Sequence, residues 1–246
     1  MKTVFKKPES LTGNPLHYCP GCSHGIIHRI VAECIDELGL RENTIGVYAV
    51  GCVVLGHRYF NMDCIGAAHG RAPATATGIK RMQPDKTVFT YQGDGDLAAI
   101  GMAEIMHASA RGENITVVFV NNGIYGMTGG QTAPTTLLGQ VTTTAPYGRR
   151  ANVEGYPIRV AELLAQNEGS AYIARTAVSS PAGVMQTKKA IKKAFETQQK
   201  GLGFSMVEVL AACPTNWGKA PREALKWLDE NMAAYYPVGE IKVKEG

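Results

Sequence analysis

The sequence predicts an α/β protein with a mostly parallel sheet and helices on both faces, and three observations carry that prediction. Two apolar, β-branched runs, residues 87–91 and 115–120, each end in a polar, glycine-rich turn: Gln92-Gly-Asp-Gly-Asp96 and Asn121-Asn-Gly-Ile-Tyr-Gly126. Residues 97–111, which join them, repeat their apolar positions with helical period, so the three pieces form a strand-helix-strand unit. Further runs of the same kind, residues 45–50 and 204–210, end in turns that carry a cysteine. In a parallel sheet all such turns fall on one edge, where ligands of this architecture bind.

Composition sets the frame. The 246 residues are 45% hydrophobic, enough to bury a substantial core within one large domain, with a polar, proline-containing N-terminal arm at 1–15 and a helical C-terminal extension. The net charge of +4, from 25 basic and 21 acidic residues, is too small an excess to argue for a nucleic-acid partner. The basic cluster at 188–193 has helical spacing and reads as a solvated face, with a docking face for an acidic partner as the minor reading. No apolar run is long enough for a bilayer and no secretory leader is evident, so a cytoplasmic protein is expected. Six cysteines in such a chain point away from a disulfide framework and toward metal or redox chemistry.

In chain order, Cys19-Pro-Gly-Cys22 brings two sulfurs toward one point. The apolar stripe of Ile26, Ile27, Ile30, Val31, Cys34, Ile35 and Leu38 makes the following residues a helix. The thiolates would then lie at a helix N-terminus, where the dipole favours anions. A thioredoxin-like dithiol normally follows a strand, and none precedes Tyr18. Residues 68–78 read as a turn entering a helix of small residues, with Pro73 in its first turn. The stretch 128–150 is rich in Thr, Gly and Pro and lacks periodicity; segments of that length in a compact domain are usually functional. Helices are expected at 157–167, 181–200 and 222–235, with a short strand at 171–175. Cys34, on the apolar face of its helix, and Cys64 read as packed side chains, and His17, His24, His28 and His107 as structural.

The two glycine-rich turns suit a hard, oxygen-liganded cation beside a diphosphate. Asp94 offers a carboxylate, Asn122 a side-chain carbonyl and Ile124 a backbone carbonyl, a donor set suited to magnesium. Gly93, Gly95 and Gly123 allow sharp turns and close approach of backbone amides to an anion. Neither a dinucleotide G-x-G-x-x-G after an early strand nor a P-loop is present, so those readings lack their own chemistry. Four thiolates serve zinc and an iron-sulfur cluster alike, and spacing alone does not separate the two.

Gly93-Asp-Gly-Asp96 followed by Asn121-Asn-Gly-Ile-Tyr-Gly-Met127 resembles the thiamine diphosphate motif, and in its longer form, with the cysteines, the beta subunit of 2-oxoacid:ferredoxin oxidoreductases. The resemblance runs from Cys19 to about Trp217. It implies the thiamine diphosphate-binding fold, specifically its diphosphate-binding domain, with magnesium on Asp94, Asn122 and Ile124. It also implies cofactor contacts at Gly95, Asp96, Gly126 and Met127, at Val50, Gly51, Cys52 and Val53, and at His69 of His-Gly-Arg. Cys19, Cys22, Cys52 and Cys213 match the ligands of a 4Fe-4S cluster, which favours the cluster over zinc. The implied reaction is oxidative decarboxylation of a 2-oxoacid to acyl-CoA and carbon dioxide, with electrons passed through the cluster to ferredoxin.

The catalytic glutamate would lie on a separate alpha subunit carrying the pyrimidine-binding domain, and the family leaves room for gamma and ferredoxin-like delta subunits. The segment Gly51-Cys-Val-Val-Leu-Gly-His57 departs from the Gly-Cys-Ser sequence of many 2-oxoglutarate and pyruvate enzymes. That departure leaves Val53 and His57 open as cofactor contacts, and His57 is as readily a satisfied loop histidine as a site residue. Among substrates, a branched-chain acid such as 3-methyl-2-oxobutanoate is expected first and 2-oxoglutarate second. Two alternatives stand beside this reading: a subunit of a non-oxidative thiamine-dependent decarboxylase, and a zinc-stabilised noncatalytic scaffold.

Overall fold

The structure, a computed structural model, describes residues 6–244. Seven strands form one sheet in the order β2-β1-β3-β4-β6-β5-β7: β1 Thr44–Tyr48, β2 Asp63–Gly66, β3 Thr87–Gly93, β4 Thr116–Asn121, β5 Ser170–Ala177, β6 Phe204–Leu210 and β7 Gly239–Val243. All neighbouring pairs are parallel except β5 with β7, which is antiparallel. Helices α1 His24–Glu37 and α5 Pro181–Gln199 cover one face, and α2 Ala72–Met82, α3 Met102–Ala110 and α4 Val160–Ala165 cover the other.

Alternation along the central strands divides the core in two. Phe89, Tyr91, Val118, Val120, Val207 and Val209 pack toward α1 and α5, whereas Val88, Val117, Phe119, Phe204 and Met206 pack toward α2, α3 and α4. Because both faces are buried, these strands read in sequence as nearly continuous apolar runs. The two edge strands lack that signature. β2 and β7 are mostly exposed, and neither is evident in the sequence.

Three local features differ from the sequence reading. The expected helix at 97–111 begins as a π-helical turn, Asp96–Ile100, closed by the Gly101 amide on the Asp96 carbonyl at 2.9 Å, before α3. Such π turns are uncommon and concentrate at functional sites. The C-terminal extension is helical only in part. After α6 Pro214–Trp217, α7 Pro221–Trp227, a π turn at Leu228–Met232 and α8 Ala233–Tyr235, the chain returns to the sheet as β7. The N-terminal arm, whose first five residues lie outside those described, is not simply a surface segment. Ser10 is fully buried, with its hydroxyl donating to Asp36 at 2.5 Å, and Leu11 bridges to Phe60.

The basic cluster on α5 is largely committed within the chain. Lys188 pairs with Glu33 and Glu37, Lys192 with Glu37 and Lys193 with Glu240. Those pairs tie α5 to α1 and β7, and they leave little of its charge for an acidic docking partner. No helix among the described residues is long and apolar enough to cross a membrane.

Candidate active site

One cleft opens at the carboxyl edge of the sheet. The loop after β1 contributes Val50, Gly51, Cys52 and Val53 to it; the turn after β3 contributes Asp94, Gly95 and Asp96; the turn after β4 contributes Asn122, Ile124, Gly126 and Met127; and His69 enters from the loop before α2. Parallel pairing of β1, β3 and β4 puts these loops side by side, so three segments distant in sequence share one wall.

Asp94 is 2% exposed. One of its oxygens accepts from the Gly95 amide at 2.9 Å; the other accepts from the Ile124 amide at 3.2 Å and the Thr135 hydroxyl at 2.6 Å. The Asn122 side-chain carbonyl accepts from the same Ile124 amide at 3.2 Å. The two side chains therefore approach one point on the turn. Burial raises the Asp94 carboxyl to about 6, against the pull of hydrogen bonds from Thr135 and the backbone. A buried anion held only by neutral donors is the setting in which a hard cation is most stabilising.

The Asp96 carboxylate is committed elsewhere, to the Gly70 amide at 2.7 Å, His69 Nδ1 at 2.5 Å and Gln92 Nε2 at 2.6 Å. It closes the cleft floor, and the backbone of its turn is what remains to face an anionic ligand. Gly123, with φ of +64°, makes the sharp reversal after β4. Its carbonyl is held by the Thr136 hydroxyl at 2.7 Å.

The cysteines meet beside this cleft. Gly21, with φ of +76°, turns the Cys19-Pro-Gly-Cys22 loop so that the Cys22 amide reaches the Cys19 carbonyl at 3.0 Å. Cys213 follows β6, and Asn216 Nδ2 donates to its sulfur at 3.4 Å. A side chain at Gly126 would place its Cβ 3.1 Å from the Cys52 sulfur and 3.7 Å from that of Cys213, so both sulfurs crowd the same space. Burial pushes the Cys22 thiol up to about 11 and that of Cys52 to about 12, with neighbouring cysteines adding to both shifts; Cys213 is raised for the same first cause. All four are free. Among the described residues, no three His, Cys, Asp or Glu side chains close on a point tight enough for a single metal ion. Four thiolates serve a structural zinc and an iron-sulfur cluster alike.

The structure adds residues to the site that the sequence did not single out as contacts. Thr135, inside the irregular stretch, supplies the shortest hydrogen bond to Asp94. His24, expected to be structural, lines the cleft together with Tyr125 and Thr128. Its Nδ1 lies 2.9 Å from the Tyr91 hydroxyl, and burial lowers its pKa to about 4, so the ring is neutral at pH 7. His57 does not join them; it is exposed and faces the Val54 carbonyl at 3.2 Å. Cys34 is buried with its sulfur against the Lys188 carbonyl, and Cys64 is half-buried on the edge strand β2.

Comparison with known proteins agrees with this architecture. Residues 49–209 match the model of the thiamine pyrophosphate enzyme family, C-terminal TPP-binding domain. The chain is 44% identical over 251 aligned residues to ketoisovalerate oxidoreductase subunit VorA of Methanothermobacter thermautotrophicus, covering 98% of this chain and 53% of that protein. It is 39% identical to 2-oxoglutarate synthase subunit KorB of Methanocaldococcus jannaschii, covering 88% and 78%. It therefore spans about half the length of VorA and most of KorB. Among solved structures it superposes on 2-oxoglutarate:ferredoxin oxidoreductase from Magnetococcus marinus, determined with 2-oxoglutarate, coenzyme A and succinyl-CoA bound, with a TM-score of 0.81 and 25% identity over 99% of this chain and 86% of that one. The chain belongs to the thiamine pyrophosphate enzyme family, in the branch that holds the VorA and KorB oxidoreductase subunits.

Proposed function

We propose that this chain is the thiamine diphosphate-binding beta subunit of a 2-oxoacid:ferredoxin oxidoreductase. The observation that carries the reading is the double placement of Cys52. It lines the cleft with Asp94 and Asn122, and its sulfur shares the space at Gly126 with that of Cys213. A magnesium ion on Asp94, Asn122 and the Ile124 carbonyl would hold the diphosphate. A 4Fe-4S cluster would be held by Cys19, Cys22, Cys52 and Cys213 and would supply a one-electron acceptor. Bound thiamine diphosphate supplies the electron sink that makes decarboxylation of a 2-oxoacid feasible. The residues of this chain bind, orient and shield. Val50, Val53 and Met127 give the cleft an apolar wall, His69 and Gln92 fix the Asp96 turn, and neutral His24 presents a ring without charge.

The preferred substrate is a branched-chain 2-oxoacid such as 3-methyl-2-oxobutanoate, with 2-oxoglutarate as the second choice. One observation supports that order. VorA, named for ketoisovalerate, is more similar to this chain than KorB. The rest of the substrate pocket would lie on the partner subunit, so this ranking rests on that similarity. Coenzyme A would accept the acyl group and ferredoxin the electrons. A partner alpha subunit would supply the pyrimidine-binding glutamate and the rest of the pocket, and the complex would work in the cytoplasm.

The test is the complex purified without oxygen and assayed against a panel of 2-oxoacids with a viologen acceptor. Coenzyme A-dependent reduction fastest with branched-chain acids is expected; no reduction with any 2-oxoacid overturns the assignment. Asp94→Ala should abolish magnesium-dependent thiamine diphosphate binding while leaving the iron content intact. Unchanged cofactor affinity in that variant refutes the metal site.

A further inference from the structure

A guanidinium lies inside the sheet behind the cleft. Arg175 of β5 is 1% exposed and stands in register with Glu208 of β6, which is fully buried. Arg175 Nε donates to Glu208 at 2.8 Å, and its two terminal nitrogens donate to Glu162 of α4 at 2.8 and 2.5 Å. A buried ion pair is weak evidence of stability, because apolar residues of the same volume commonly do as well. Its geometry shows what else it does.

The second Glu208 oxygen accepts from Asn121 Nδ2 at 2.7 Å, and the Asn121 side-chain carbonyl accepts from the Gly123 amide at 3.2 Å. An ionised carboxylate only accepts, so it selects one of the two flips of the Asn121 amide. That flip aims the carbonyl at the Gly123 amide. The line Glu162, Arg175, Glu208, Asn121 therefore crosses from α4 through β5 and β6 to β4, and ends on the turn between Asn122 and Ile124. A second limb leaves the same guanidinium. It lies 5.2 Å over the Tyr236 ring, whose hydroxyl donates to the Thr135 carbonyl at 2.8 Å, and the Thr135 hydroxyl reaches Asp94.

We infer that Glu208, held by Arg175 and acting through Asn121, is a positioning residue for the metal-binding turn. It sets the direction of the Asn122 carbonyl and the Ile124 backbone toward magnesium. The inference rests on the proposed magnesium-diphosphate site and adds to it a pair of buried residues that touch neither ion nor cofactor.

The experiment uses the chain assembled with its partner subunit and measures thiamine diphosphate binding by equilibrium dialysis across a magnesium titration, with iron content and melting temperature recorded for each variant. Asn121→Ser breaks the line while leaving the Arg175–Glu208 pair intact. It should raise the magnesium needed for half-saturation about tenfold or more, as loss of an orienting partner to a metal ligand typically does. Asn121→Asp sets two carboxylates face to face and should raise it at least as far. Adding Glu208→Gln to Asn121→Asp restores a donor-acceptor pair in the reverse sense and should recover most of the affinity. Iron content should match wild type throughout. A half-saturation within twofold of wild type in Asn121→Ser overturns the inference, as does failure of the double variant to improve on Asn121→Asp. If wild type itself shows no magnesium-dependent binding, the proposed function is what fails.

Discussion

Gly95 shows how a single position carries the site. A Cβ there would fall onto the Tyr125 ring, which lines the same cleft, so Gly95→Ala must displace that ring or the turn beneath it. The expected outcome is loss of at least tenfold in thiamine diphosphate affinity, read by dialysis, with the iron retained. The buried histidines make a different prediction. His28 is fully buried, bonded through Nε2 to the Tyr18 hydroxyl at 2.6 Å, and burial holds its pKa well below 6.5. His24 is lowered to about 4 by the same cause. Below pH 6.5 the unfolded chain takes up protons that these folded rings refuse, so stability falls as pH falls, by up to about 1.4 kcal/mol per pH unit for each ring. Asp94 acts in the opposite sense. Its carboxyl is raised to about 6, so the folded chain holds a proton that the unfolded chain has released, and stability rises as pH falls from 6 toward 3.8. His28→Gln keeps a hydrogen-bonding partner for Tyr18 and removes one titration. Denaturant melts between pH 5 and 7.5 should show a shallower acid slope in that variant than in wild type; equal slopes would show that His28 titrates normally.

At the scale of elements, the irregular stretch 128–150 is held by one residue near its end. Arg149, 5% exposed, donates to the carbonyls of Ala133, Pro134 and Thr136 at 3.1, 3.0 and 2.6 Å, and to those of Glu154, Gly155 and Tyr156 at 3.2, 2.9 and 3.0 Å. A guanidinium presents five N–H donors in a rigid, planar fork, so it reaches six carbonyls by sharing one Nη1 hydrogen between two of them. The segment that carries Thr135 to Asp94 is thereby fixed without regular structure. Arg149→Met should cost on the order of 3 kcal/mol by leaving buried carbonyls unsatisfied, seen as a lowered denaturation midpoint. Limited proteolysis should cut first within 128–150, and protection equal to wild type there would count against the staple. The same scale explains which strands were legible. β3, β4 and β6 are buried on both faces and stand out as apolar runs, whereas β2 and β7 lie at the edges, where half-exposed strands of four and five residues carry too little pattern.

For the whole molecule, the proposed function gives this cleft one half of a cofactor site and one set of cluster ligands, and on that reading activity is expected only with the partner half present. The isolated chain, purified without oxygen, should contain iron and acid-labile sulfide and show no 2-oxoacid-dependent viologen reduction until its partner is added. Stoichiometric zinc without iron would favour the scaffold alternative, and turnover by the chain alone would show that no partner supplies the missing half.

The sequence by itself determined the turns after β3 and β4, the helix after Cys22 and the spacing of the cysteines, because each of these depends on residues close together along the chain. Glycine permits the turns, an apolar stripe makes the helix, and a donor set is legible wherever its members are chemically distinctive. Only the tertiary structure decided that Thr135 supports Asp94, that His24 faces the cleft, and that Arg175 and Glu208 stand behind Asn121. These contacts join positions separated by dozens of residues, through side chains ordinary enough to occur anywhere. A serine, threonine or arginine acquires such a role from what the folded sheet brings beside it, and no local pattern records that.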